Sequence, residues 1–309
     1  MTTETTTTAQ PLVSIIVPSF NQGRFIRRTL ESIFSQDYRP LQVIVIDGAS
    51  KDETVDVLRS FDGTPGFEWV SEPDSGVVEA VNKGFARARG VIGGIQSSDD
   101  FYLPGAISMS VAALLDDPAL AFVYGDIAKV DAEGRELSRS RLGPYSLEGV
   151  LLKDTTILQP ATFFRMALAK SLGGWREEVP YAADTDLWLR MALQAAGCKL
   201  DRLMAQRSMH EAQRDTQGAK IARDYGKMID LLMPQFRARG LAGAALASKL
   251  LMANRYGKPG ELLRVGRLWR ASAHAPKVIR KIPFAAYVPW YYPVRKRLRA
   301  AAWALLPNH

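Results

Sequence analysis

The chain has 309 residues, 47% of them apolar, which is enough for a sizeable buried core. Its one cysteine, Cys198, excludes an internal disulfide, and no run of about 18 uninterrupted apolar residues predicts a transmembrane helix. The net charge of +8 is unevenly placed: residues 251–309 carry twelve Lys/Arg against one acid, Glu261, so the remainder of the chain is slightly acidic.

Residues 1–10 are threonine-rich, with no basic start and no apolar centre, and read as a disordered polar tail rather than a secretory signal. Residues 13–17 form a β-branched run ending at Pro18, which suits a strand buried on both faces. Ile26, Leu30, Ile33 and Phe34 follow at helical spacing. Strands are then predicted at 42–46, 67–71 and 91–96, with helices at 54–61 and 77–89 between them. This alternation implies a mostly parallel sheet flanked by helices. Pro104 is expected to open a helix running to 115, and 120–125 reads as a strand. Residues 126–141 suggest a hairpin or an irregular excursion, with a turn at Glu133-Gly134. Residues 157–165 and 200–205 read as further strands. Residues 184–195 form an amphipathic helix with Leu187, Trp188, Met191 and Ala195 on one face. Beyond Met209 the pattern turns helical and polar, then basic. The expected division is a tail at 1–10, an α/β domain at 11–240 and a basic helical C-terminal extension at 241–309.

Ligands of open α/β sheets bind outside the carboxyl ends of the strands. The predicted strands end in Pro18-Ser19-Phe20-Asn21, in Asp47-Gly48-Ala49-Ser50 and in Ser97-Ser98-Asp99-Asp100, so polar residues gather on one edge. No Gly-x-Gly-x-x-Gly follows the first strand, which argues against a dinucleotide site. Adjacent acids such as Asp99 and Asp100 repel unless neutralised. A hard divalent cation bridging carboxylates and phosphate oxygens would do this. Two solvated loop acids, or a cap for the helix near Pro104, explain the same spacing. Asp47 reads either as a turn residue or as an acceptor for a base or ribose group.

The ordered series 13–23, Val45-Ile-Asp-Gly-Ala-Ser-Lys-Asp-Glu-Thr54, Ser71-Glu-Pro-Asp-Ser-Gly76, Val81-Asn-Lys-Gly-Phe85 and Ser97-Ser-Asp-Asp100 resembles family 2 glycosyltransferases. The likeness is to the bacterial polysaccharide-assembly branch and covers about residues 11–215. It implies a GT-A fold, an α/β nucleotide-diphosphosugar-binding domain, inverting chemistry, and Mg2+ or Mn2+ as cofactor. Position by position, it sets Ser19, Asn21 and Asp47 against the nucleotide, with Asp47 on the base. Glu72, Asn82 and Lys83 fall on the donor side. Asp99 matches the last acid of the Asp-x-Asp signature and Asp100 follows it, whereas Ser97 replaces the first acid. His210 matches a histidine that completes the metal or diphosphate site, and Arg207 would neutralise the leaving diphosphate. Lone histidines and arginines are also ordinary surface residues. Asp184 matches the acid that opens the acceptor-side helix and serves as base, although a plain N-cap fits that place too. Asp186 and Arg190 are spaced for a helix ion pair. Trp188 reads as core, and Trp175 reads either as an acceptor-stacking ring or as loop packing.

The implied partners are a nucleotide-diphosphate sugar, a UDP-sugar foremost, and a saccharide acceptor, either free or lipid-linked. Leu262, Val265, Leu268 and Trp269 alternate with Arg264, Arg267 and Arg270, a pattern suited to an anionic membrane surface. A cytoplasmic enzyme attached peripherally to the inner membrane face is the expectation. A solvated helical cap is the alternative for this segment, and no nucleic-acid module accompanies the charge. A sugar nucleotidyltransferase would share the fold class, but its glycine-rich basic loop is absent. A non-catalytic scaffold that kept the fold is the remaining alternative.

Overall fold

The computed structural model describes residues 10–131, 133–140, 142–210 and 217–256. The expectations for the N-terminal tail and for the basic segment beyond 256 concern residues outside these.

The first half alternates as the sequence predicts. It runs β1 (Val13–Ser19), α1 (Gly23–Phe34), β2 (Leu41–Asp47), α2 (Thr54–Arg59), β3 (Phe67–Ser71), α3 (Val77–Arg87) and β4 (Ile92–Ile95). These strands are parallel in the order β3-β2-β1-β4. All seven residues of both β1 and β2 are buried, which is why their sequences are near-continuous apolar runs. Gly84 lets α3 lie directly on β1, because a Cβ there would come within 2.3 Å of Ile16.

The second half is mixed. It contains β5 (Phe101–Tyr102), α4 (Ala106–Asp116), β6 (Leu120–Val130), β7 (Glu136–Arg139), α5 (Leu147–Leu152), β8 (Thr162–Arg165), α6 (Met166–Ser171), α7 (Ala183–Ala192) and β9 (Ala196–Ser208). The sheet continues β4-β8-β6-β9-β5. β8 is antiparallel to both β4 and β6, β9 is parallel to β6, and β5 is antiparallel to β9. The sheet is therefore parallel through its first four strands and mixed beyond them. The predicted hairpin is present as β6–β7, with Gly134 at φ 85° in its turn. The strand expected over 157–165 is cut short: Gln159–Ala161 is a single 3-10 turn, because Pro160 has no N–H to give a ladder. Conversely β9 is more than twice the length read from the sequence, since its exposed stretches carry no apolar alternation. The helix near Pro104 begins at Ala106, after Gly105 at φ 80°.

The described residues fall into two compact units, divided at 147/148, 154/155 and 216/217. The first holds the sheet. The second contains most of α5, with α8 (Gly218–Ala238) and α9 (Ala242–Tyr256). Within it Tyr225 bridges Lys153 and Ser248, at 2.5 and 2.9 Å. Ala244, Ala245 and Ala247 of α9 are fully buried. The boundary expected at 240 leaves α8 with the α/β domain, whereas α8 packs with α9. No helix among the described residues is long and apolar enough to cross a membrane.

Candidate active site

The strands β1, β2 and β3 end in one register: Ser19 pairs with Asp47, and Asp47 with Ser71. Asp47 is fully buried. Its carboxylate accepts hydrogen bonds from Ser50 N (3.0 Å), Ser50 Oγ (2.5 Å) and Ser71 Oγ (2.6 Å). These three bonds hold the turn that follows β2, and they leave the role against the base that the resemblance implies untested. Asn21, at φ 52°, accepts from Lys51 N at 2.9 Å, while its own N–H donates to Ser50 Oγ at 2.7 Å. Asn21 thus locks the β1–α1 turn onto the β2–α2 turn and is itself exposed. Ser19 is different. Its hydroxyl is buried with no partner among the described residues, the kind of orphan that a ligand satisfies.

Glu72 lies just beyond β3 and pairs with Lys83 of α3 at 2.8 Å, and Lys83 also meets Glu79 at 2.9 Å. Glu72 first, then Glu79, hold the Lys83 ammonium above its ordinary pKa. Asn82 sits apart from this edge. Its amide donates to Trp175 O and accepts from Trp175 N, both at 2.9 Å, so it ties α3 to the loop before α7. One N–H and one lone pair of the amide are used in this way. Trp175 is buried, and with Asn82, Gly173 and Arg176–Glu178 it lines an open depression of about 520 Å³.

The acidic run lies between β4 and β5. Pairing of β5 with β9 brings this run to the end of β9, a contact invisible in one dimension. There Asp99 Oδ2 stands 2.9 Å from His210 Nε2. Phe25 stacks on the imidazole, with ring centroids 4.6 Å apart, and fixes its plane. Asp100 faces the other way. It is buried and accepts from Ser208 N at 3.0 Å. Through Oδ1 it fastens β9 to the loop. Ser97 donates to Gln159 at 3.2 Å. Arg207 precedes Ser208 on β9 and is half-buried.

Asp184 lies in the first turn of α7, whose N-cap is Ala182, so the N-cap alternative does not hold. It is half-buried and accepts from Thr185 N at 2.6 Å. Behind it, Asp186 and Arg190 form the expected i,i+4 pair at 2.7 Å, and both are buried. Arg190 also donates to Leu172 O and Gly174 O, while Arg176 reaches Asp186 at 3.3 Å. Trp188 packs on Phe122 and Phe164 in the core.

The profile of Glycosyl transferase family 2 matches residues 14–173, more than half of the chain. The chain belongs to this family. A protein described as an uncharacterized glycosyltransferase of Mycobacterium tuberculosis is 34% identical over 189 residues, covering 60% of this chain and 71% of the relative. Chondroitin synthase of Escherichia coli is 29% identical over 205 residues, 65% of this chain but only 29% of that longer protein. Among solved structures, S. aureus TarS 1–349 in complex with UDP-GlcNAc superposes with a TM-score of 0.65 at 18% identity, covering 94% of this chain and 87% of TarS. The mannosyltransferase PcManGT of Pyrobaculum calidifontis, in complex with GDP-Man and Mn2+, gives 0.59 at 20% identity, covering 96% and 87%. The chain is thus a glycosyltransferase with the GT-A fold.

The donor set of this glycosyltransferase suits a divalent cation in one respect that can be measured. Two cis ligands about 2.1 Å from an octahedral ion stand about 3.0 Å apart, and Asp99 and His210 are separated by 2.9 Å. No group of three or more ligating side chains occurs among the described residues, so the other positions would fall to donor phosphates and water. Two residues at this edge carried no role in the sequence reading. Phe20 is 59% exposed at the end of β1, and Asp74 sits over the Gly48 backbone. Both lie inside the quoted motifs; their signal was an aromatic placed directly after a buried strand and an acid after Pro73.

Proposed function

We propose that this glycosyltransferase moves a sugar from a nucleotide-diphosphate donor to a hydroxyl of a saccharide acceptor, with inversion at the anomeric carbon. The Asp99–His210 pair at the carboxyl edge of the sheet is the observation that carries the reading. Asp99 and His210 hold Mg2+ or Mn2+, which when bound screens the charge of the diphosphate. The orphan hydroxyl of Ser19 and the exposed Asn21 take the nucleotide, and Arg207 adds positive charge near the leaving group. Asp184 accepts the acceptor's proton as that oxygen bonds to the anomeric carbon, and the electron pair of the broken C–O bond leaves on the diphosphate. Its position in the first turn of α7 favours the ionised carboxylate. Asp186 and Arg190 fix the helix and the 172–174 loop that carry it.

The likeness to chondroitin synthase supports a role in polysaccharide or glycan assembly. A UDP-sugar is the first donor to test, since TarS was solved with UDP-GlcNAc. The basic segment within 251–309 supports action on a lipid-linked acceptor at the cytoplasmic membrane face. The test is donor binding and sugar transfer with Mn2+. Asp99→Ala is expected to abolish metal-dependent donor binding. Asp184→Asn is expected to bind donor normally and lose transfer by about 100-fold or more. Near-normal turnover of Asp184→Asn would remove it as base.

A further inference from the structure

Helix α1 opens Gly23-Arg-Phe-Ile-Arg-Arg28, with three arginines in six residues. Arg27 is accounted for within the fold: it donates to Ser60 Oγ at 3.1 Å and lies over the Phe61 ring. Arg24 and Arg28 are not. They stand one turn apart with Phe25 beside them, so the three side chains form one stripe on the helix. Both arginines are exposed. Exposed arginines elsewhere in this unit find acids: Arg59, Arg135 and Arg139 pair at 2.8, 2.7 and 2.6 Å. Arg28 has Glu31 within reach three residues on, yet its guanidinium lies 3.8 Å from the centroid of the Phe101 ring. Arg24 lies over Phe25 at 5.2 Å. Neither forms an ion pair among the described residues. The stripe borders the Asp99–His210 pair. Phe25 stacks on His210, Phe101 directly follows Asp100, and Thr29 Oγ donates to Asp100 O at 2.8 Å. The β6–β7 turn also comes close, since a Cβ on Gly134 would lie 2.8 Å from both Nη atoms of Arg28. Each guanidinium is thus oriented by a ring and not by a counter-charge.

We propose that Arg24 and Arg28 form a second anion site beside the Asp99–His210 pair, which takes the phosphate joining the saccharide acceptor to its carrier. This rests on the lipid-linked acceptor proposed above. A planar guanidinium held in place with unspent N–H donors meets two oxygens of a phosphate at once. The donor's own diphosphate is a poorer occupant. His210 stacks on one face of Phe25, with centroids 4.6 Å apart and planes 15° from parallel. Arg24 therefore takes the opposite face, two ring separations from the imidazole. An anion on Arg24 is kept apart, by the Phe25 ring, from a cation held in the imidazole plane. One divalent cation balances the charge of the donor diphosphate, so a further phosphate in the same cleft needs cations of the protein's own. Arg24 and Arg28 supply them without being drawn away by a neighbouring acid.

The test is calorimetric titration of the full chain, saturated with Mn2+ and UDP, by glucose 1-phosphate, with glucose as the uncharged control. Wild type is expected to bind the phosphate ester at least about tenfold more tightly than glucose, and inorganic phosphate is expected to compete. The double variant Arg24→Gln/Arg28→Gln is expected to lose that preference while binding UDP within about twofold of wild type. Arg27→Gln is expected to match wild type throughout. A parallel arm measures flotation with phosphatidylglycerol vesicles, expected to be the same for wild type and the double variant. Thermal melts report folding. Lost UDP affinity in the folded double variant assigns the arginines to the donor. Lost flotation with unchanged glucose 1-phosphate binding assigns them to lipid headgroups. Either result overturns the proposal and leaves the donor reading standing. A wild type with no preference for glucose 1-phosphate over glucose does the same without any variant. Wild type that binds no UDP overturns the nucleotide-sugar reading and this inference together.

Discussion

Adjacent acids in this glycosyltransferase do opposite things. Asp99 turns to His210, while Asp100 turns inward and satisfies a buried backbone N–H of Ser208. Substituting them should therefore separate function from stability. His210→Ala, like Asp99→Ala, is expected to weaken Mn2+-dependent donor binding while leaving chemical denaturation near the wild-type midpoint. Asp100→Ala removes the buried acceptor of the Ser208 N–H and is expected to cost about 1–3 kcal/mol by denaturant titration. Asp47 belongs with Asp100. Its three accepted hydrogen bonds are all internal, so Asp47→Ala should lower stability by about 3 kcal/mol by the same measurement. If Asp47→Ala instead lost nucleotide binding at unchanged stability, the structural role assigned to it would be wrong. Sequence made these three acids and one histidine visible, because acids after buried strands stand out. It did not show which way each carboxylate points, because that depends on hydrogen-bond donors as distant in sequence as Ser71 and Ser208.

At the scale of elements, α7 is held by a buried charge pair rather than by its cap, since Ala182 offers no side-chain hydrogen bond. Asp186 sits between Arg190 and Arg176, and Arg190 carries the carbonyls of Leu172 and Gly174. Removing the acid leaves a guanidinium buried without its counter-charge. Asp186→Ala is expected to destabilise by about 3–5 kcal/mol, read by equilibrium denaturation. It should also reduce transfer through displacement of Asp184, with donor affinity nearly unchanged. Gly174 is required twice over, by φ +65° and by Asn82 Oδ1 lying 2.5 Å from where a Cβ would stand. The i,i+4 spacing of Asp186 and Arg190 was readable in sequence, and so was the amphipathic pattern around Trp188. The grip of Arg190 on the preceding loop was not, because no periodicity links a helix face to a turn of glycines.

At the scale of the whole molecule, the alternation of the first half was legible because parallel strands buried on both faces must be apolar throughout. The second half was less so. Its strands are partly exposed, one is two residues long, and β9 spans thirteen residues with mixed polarity. The basic segment can be tested against membranes by comparing the full chain with one ending at Tyr256. A cut at 245 would divide α9, whose Ala247 and Leu250 are buried. Flotation with anionic vesicles is expected for the full chain and lost on shortening; equal flotation of both would remove the anchor reading.

The sequence alone determined the family, the parallel first half of the sheet and the list of acids from which a site could be drawn. Local spacing suffices for these, because each rests on neighbours along the chain or on one face of one element. Tertiary structure decided which way each of those acids turns. Pairing of β5 with β9 set Asp99 against His210 and turned Asp100 away. The common register of β1, β2 and β3 set Ser71 beside Asp47, whose carboxylate it bonds. A carboxylate's role follows from the donors around it, and those donors are assembled only when distant strands pair.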